Sequence, residues 1–235
     1  MAEKTDDTGE LTMPHRASGG PLFEKVVLAL GVVISLFHIY ANSIARLDDL
    51  TFTALHWGGF ALLCALLYPG WQGSGRKTLW LDIGLGLMAM ACAVYVIFAA
   101  DLIYGRGVRL IWLDYVVAII TIVLALEMAR RTAGWFIPVL AIVSIFYMAG
   151  GGAHVPGMFR FPGLTLETTL FRAVYELSGM FGSIARISAT FVFMFVLFGA
   201  FLVRSGAGAF IIDLARAVAG QLVGGPGFVA VLGSA

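Results

Sequence analysis

Charge is scarce in this chain. Of 235 residues, 15 are Lys or Arg and 14 are Asp or Glu, half the charged fraction of an ordinary soluble domain, which is about one quarter. A formal net charge of +1 leaves no electrostatic footprint for nucleic acid. Cysteine is nearly absent as well. Cys64 and Cys92 both fall inside apolar runs, which excludes a disulfide framework and a thiolate metal cluster and leaves two small core hydrophobes. The chain has no H-E-x-x-H, no G-x-S-x-G, no P-loop and no paired carboxylates on one helix face. No residues can therefore be assigned to intramembrane catalysis, and the reading is not an enzyme.

What is abundant is apolar surface, at 60% of residues. A soluble core of this size could not hide so much, whereas a bilayer takes about 20 consecutive apolar residues per helix. Ten-residue stretches of period-2 alternation, the mark of a β-barrel, do not occur, so the spans are helical and the fold class is all-α, a polytopic membrane protein. Hydropathy predicts six spans, near Val26 to Ala41, Phe52 to Tyr68, Ile83 to Ala100, Leu110 to Leu126, Trp135 to Gly150 and Ile187 to Val203. Trp57, Tyr68, Trp71, Trp80, Tyr104, Trp112, Tyr115 and Trp135 stand near span ends, as interfacial aromatics do. Ala89 and Ala93 give one small-xxx-small face for close helix contact.

Residues 1–21 are polar and mixed in sign, and read as a disordered tail. A cleaved signal peptide fits less well, because Glu3, Asp6, Asp7 and Glu10 are acidic and further spans follow. Lys and Arg in the loops favour a cytoplasmic N-terminus, chiefly through the pairs Arg76-Lys77 and Arg130-Arg131. Four spans end at Glu127, Arg130 and Arg131, which suggests a boundary there between a first part over residues 22–130 and a second over residues 131–235. The connection Gly151 to Arg186 carries an amphipathic run, Leu164 to Leu177, opened by Thr165, which is expected to lie along the outer interface.

Ionisable residues at span edges are the default places to look for function. His38 and His56 read first as hydrogen-bond partners between helices and second as a proton relay, and Asp82 reads as an N-cap. Asp101 and Asp114 with Arg106 and Arg109 could form an outer-face charge cluster for another protein to dock on, and so could Arg160, Glu167, Arg172 and Glu176, which only the family resemblance given next places near that surface. Phe210, Leu214, Val218 and Leu222 recur every four residues, with Asp213 and Arg216 opposite. This is an interfacial helix, or a linker between moving parts with Gly206, Gly208 and Gly220 as hinge candidates.

The C-terminal run FVFMFVLFGAFLVRSGAGAFIIDLARAVAGQLVGGPGFVAVLGSA resembles the large membrane subunit of tripartite ATP-independent periplasmic (TRAP) transporters. The resemblance is carried by Phe198-Gly199-Ala200-Phe201, Gly206 and Gly208, Asp213-Leu214-Ala215-Arg216, and Gly224-Gly225 ahead of Val229 to Ser234. Arg131 to Ala149 and Leu164 to Phe171 are similar to that subunit's beginning. The first four spans resemble the small four-helix subunit, so the chain resembles the N-terminal portion of a fused permease, of the kind paired with TAXI-type binding proteins. The resemblance implies an inner-membrane importer of small organic anions, carboxylates, coupled to Na+ and fed by an extracytoplasmic solute-binding protein. Na+ is the coupling ion and no cofactor is implied. The remainder of the large subunit would be a further partner.

In that family, Na+ and substrate ligands come from re-entrant hairpin tips and broken helices. Gly224, Gly225, Pro226 and Gly227 would interrupt a helix, and Gly233-Ser234 would begin a second break too soon for a full span. Gly233 and Ser234 are accordingly the candidates for proximity to an ion or substrate site, with Gly224 and Gly225 joining the hinge candidates. A surface loop leading into an ordinary seventh span explains the same glycines. A non-transporting scaffold or accessory subunit is the alternative for the chain as a whole.

Overall fold

The first four helices follow one another with few residues between them: α1 (Gly20–Ser43), α2 (Asp49–Leu67), α3 (Arg76–Gly105) and α4 (Trp112–Ala133). The computed structural model describes residues 20–70, 76–107, 109–219 and 227, and no strand occurs among them. Helix is the economical solution for an apolar chain, because each backbone N–H finds its acceptor within the same segment. Local chemistry fixes the ends. Asp48 caps α2 by accepting the Thr51 N–H at 2.9 Å, and the Asp114 carboxylate reaches back to the Ile111 N–H at 2.9 Å to open α4. Gly134, at φ +76°, closes α4.

Among the described residues, five helical stretches are long and apolar enough to cross a bilayer: α1, α2, Thr78–Gly105 within α3, α4, and Ser183–Arg204. The span expected at Trp135 to Gly150 is shorter than that. α5 (Phe136–Met148) has 13 residues, rising about 20 Å against a hydrocarbon core of about 30 Å. Gly134 stops the helix at one end, and Gly150 at φ +129° with a 3-10 turn over Gly151–His154 stops it at the other. The last span begins at Ser183 rather than Ile187, and is built from α7 (Ser183–Ile187), a π-helical turn (Ser188–Val192) and α8 (Phe193–Arg204). α1 already includes Gly20 and Pro21, the end of the expected tail; residues 1–19 lie outside the described residues.

The chain divides into two compact units, Met1–Ala189 and Thr190–Ala235. In the first, α2 touches α1, α3, α4 and α7. Its seam with α3 is made of small residues: Ala54, Ala61 and Ala65 on one side, Ala89 and Ala93 on the other, all buried. A Cβ on Gly58 would stand 3.0 Å from the Ala93 Cβ, and one on Gly86 would stand 2.6 Å from Leu62 Cδ1 and 3.1 Å from its Cα. The two helices can pack this closely because those positions carry no side chain, as the Ala89/Ala93 face predicts. The subunit boundary drawn at residue 131 falls at the end of α4, and the chain past it as far as Ala189 belongs to the same compact unit.

The expected interfacial helix over Leu164 to Leu177 is not what forms. The run breaks into α6 (Leu166–Leu170) and a π-helical turn (Phe171–Tyr175), then folds back through Gly179 and Gly182. Leu170, Val174, Tyr175 and Phe181 share one buried cluster with Val96, Ile103 and Val117 of α3 and α4. The apolar face thus meets protein instead of lipid headgroups. The return is tight enough to need glycine, since a Cβ at Gly179 would lie 2.3 Å from the Arg172 carbonyl oxygen.

In the second unit, α9 (Ala207–Ala219) follows α8 across Gly206, whose φ of +77° breaks the helix between them. Asp213 and Arg216 pair at 3.3 Å along α9, as their spacing predicts. Large apolar side chains stay exposed on many helices, including Phe98, Phe136 and Phe195, as lipid-facing positions should.

Candidate functional site

The first unit holds three polar clusters, each joining elements far apart in sequence. At the C-terminal end of α4, Arg131 donates to Asp82 at 2.8 Å, to Glu127 at 2.8 Å and to the Tyr68 carbonyl at 3.0 Å. Arg130 grips both oxygens of Glu127, at 2.8 and 2.9 Å, reaches the Gly70 carbonyl at 3.0 Å, and lies over the Trp135 ring. The Arg131 and Asp82 side chains are 3% and 4% exposed. Asp82 is therefore not an N-cap, against the expectation from sequence: α3 begins six residues earlier, at Arg76, and the carboxylate faces α4 from inside the helix. Arg131 is likewise no free loop cation but half of a buried ion pair.

At the other end of α4 sits Asp114, with no exposed side chain. Its carboxylate accepts from Tyr95 at 2.7 Å, Arg106 at 2.6 Å and the Ile111 N–H at 2.9 Å, while its carbonyl accepts the Tyr175 hydroxyl at 2.7 Å. Tyr104 in turn donates to the Tyr175 carbonyl at 2.6 Å, and Glu167 accepts the Leu110 N–H at 2.7 Å. Burial, and after it the Asp114 charge, pushes the Tyr175 phenol well above its ordinary pKa, so it stays a proton donor. The expected docking cluster loses Asp114 to this network. Asp101, Arg109, Arg160 and Arg172 remain exposed, with Arg172 4.0 Å from Glu176.

The third cluster joins α1 to α2. His38, fully buried, reaches the Ile34 carbonyl through Nδ1 at 2.7 Å and His56 Nδ1 through Nε2 at 2.8 Å; His56 Nε2 lies 3.2 Å from the Ser188 hydroxyl. Asn42 donates to the His38 carbonyl at 2.9 Å and to the Ala189 carbonyl at 3.3 Å. Arg186 pairs with Asp49 beside it. The reading of the two histidines as partners between helices holds. Phe37, Phe52 and Phe60 ring the pair.

Of the glycines singled out from sequence, Gly206 occupies the break between α8 and α9 and Gly208 is the second residue of α9, both with open space where a Cβ would go. Gly220, Gly224, Gly225, Gly233 and Ser234 lie outside the described residues. A groove of about 320 Å³ between α4 and α5, lined by Ile122, Leu126, Ile137, Ala141 and Ile145 among others, is apolar and offers an organic anion nothing to bind. The Asp82–Arg131 and Asp114–Tyr175 links were missed from sequence. Their one signal was an ionisable residue at the edge of each apolar span.

Apolar helices of bilayer length, with ionised side chains paired inside the bundle, define a polytopic α-helical membrane protein. Residues 120–235 match the family model described as "Tripartite ATP-independent periplasmic transporter, DctM component". This part of the chain, just under half of it, is thus similar to the membrane component of a TRAP transporter. No curated protein and no solved structure matches the chain.

Proposed function

We propose that the chain is the permease component of a Na+-coupled secondary transporter that imports small organic anions, carboxylates, handed over by an extracytoplasmic solute-binding protein of TAXI type. In this reading residues 22–130 are a small-subunit-like scaffold and residues 131–235 the start of the transport subunit. They lie in the bacterial inner membrane with the N-terminus cytoplasmic, and the rest of the large subunit completes the machine. The observation that carries the reading is the match of residues 120–235 to the DctM component, on a chain with five described helical stretches apolar and long enough to cross a bilayer. In sequence, the glycines from Gly224 to Ser234 would interrupt a helix, and such a break would free backbone carbonyls for a cation. Gly233 and Ser234 are proposed to lie near that site, and Gly206, Gly208, Gly220, Gly224 and Gly225 to absorb the movement. The exposed charges Asp101, Arg109, Arg160 and Arg172 are proposed as the docking rim.

The test in cells uses the permease carrying this chain, expressed with its binding protein in a strain lacking other carboxylate uptake. Accumulation of a labelled organic acid should require both proteins and external Na+. Accumulation unaffected by deleting the permease would overturn the proposal and favour the scaffold reading.

A further inference from the structure

We propose that His38, His56 and Ser188 form a binding site for a single proton, loaded from the Ser188 side. With both rings neutral, these three hydrogen bonds admit one set of hydrogen positions. A carbonyl oxygen only accepts, so the contact to Ile34 puts a hydrogen on Nδ1 of His38 and leaves its Nε2 with a lone pair. Nδ1 of His56 must then donate to that lone pair, which leaves Nε2 of His56 to accept from the Ser188 hydroxyl. Both rings are neutral in this arrangement.

The chain has room for one further proton. Hydronium can protonate Nε2 of His56 and leave as water. The Ser188 hydroxyl then turns its hydrogen away and accepts from the new N–H through its oxygen, so the heavy atoms keep their places. A second proton has no place, because Nδ1 of His38 already carries one and its Nε2 is the acceptor that the His56 imidazolium needs. The site therefore holds one proton shared over the short contact between the two rings. His38 is sealed, whereas His56 and Ser188 are half-buried, so loading comes from the serine end. At the far end the Ile34 carbonyl passes nothing on. The site is thus a store and not a conduit.

Among the described residues, the elements that carry the site bring few other charges. Besides His38, α1 carries Glu24, Lys25 and Tyr40; besides His56, α2 carries Asp49 and Cys64; the segment Ser183 to Ala189 brings only Arg186, which is paired with Asp49. The site also sits where the compact unit ends, since Ser188 opens the π-helical turn and Asn42 holds the neighbouring Ala189 carbonyl. Such single-turn bulges recur at functional positions.

The test is ring-nitrogen NMR of the full chain labelled at histidine, in lipid nanodiscs, titrated between about pH 4 and 8, where histidine changes charge. His15 and His154 are assigned by substitution. The expected result is one protonation step with a common midpoint for His38 and His56, adding one proton in total. Ser188→Ala should move that midpoint while the neutral tautomers stay as they are, and Ser188→Thr should restore it. Two independent steps that add a proton to each ring, no step across the range, or a midpoint indifferent to Ser188→Ala would each overturn the proposal. None of these outcomes depends on whether the chain transports.

Discussion

Replacing Arg131 by Leu removes one half of an ion pair whose two side chains are only 3% and 4% exposed. Asp82 would be left in the bundle deprived of its 2.8 Å partner, and the Tyr68 carbonyl and Glu127 would each lose a charged donor. Breaking a buried pair from one side typically costs about 3–5 kcal/mol, because the remaining charge keeps its desolvation penalty without the attraction that offset it. For a unit of this size each kcal/mol moves the melting temperature by about 2–4 °C, so Arg131→Leu should lower it by roughly 6–20 °C. The double replacement Asp82→Leu with Arg131→Leu should recover most of that loss, since neither half of the pair is left buried without the other, Glu127 keeps Arg130, and pairs of this kind are often replaceable by apolar residues. Thermal unfolding of the purified protein in one detergent, followed for the wild type, both single variants and the double variant, measures the coupling directly. Single variants as stable as the wild type, or a double variant that loses the sum of both, would refute the view that this pair locks α3 to α4.

Other sites give smaller or differently signed effects. Gly86→Val should push α2 from α3, because even a Cβ there meets Leu62 at 2.6 Å; a loss of about 1–3 kcal/mol in the same melt is expected. Tyr175→Phe should cost about 1 kcal/mol by removing the hydroxyl that the Asp114 carbonyl accepts, whereas Asp114→Ala, which strands Arg106 and the Tyr95 hydroxyl, should cost about 3–5 kcal/mol. Both should raise protease cleavage between residues 164 and 182. For Asp48, partial burial works to raise the carboxyl pKa, but the Thr51 hydrogen bonds outweigh it and hold the value below the ordinary one. Because the folded-state value is the depressed one, the cap's contribution is present above about pH 4 and fades as pH falls through the folded value. Asp48→Ala should cost about 1 kcal/mol at neutral pH, and the difference from wild type should shrink in acid.

The sequence made the spans legible because apolar length is a local property, and the Ala89/Ala93 face because two small residues four apart need no knowledge of their partner. His38 and His56 were legible as candidates for the same reason: a polar ring in an apolar run needs a partner nearby. The roles of Asp82 and Asp114 were not legible. Asp82 looked like a cap because hydropathy starts the third span beside it, whereas α3 extends back to Arg76 and turns the carboxylate inward. Its partner is 49 residues away, a separation that no periodicity reports. Leu164 to Leu177 failed differently. Helical spacing shows that an apolar face exists but not whether lipid or protein covers it, and here Gly179 and Gly182 let the chain double back so that Val174 and Tyr175 enter the bundle.

The transport reading rests on coupling to an ion and on delivery by a partner, and initial uptake rates in proteoliposomes test both at once. The permease carrying this chain is reconstituted, its solute-binding protein loaded with a labelled carboxylate is added outside, and an inward Na+ gradient is imposed or replaced by an equal K+ gradient. Rapid uptake that collapses both in K+ and without the binding protein is the expected result. Uptake at the same rate in all three conditions, or no uptake in any, would contradict the account.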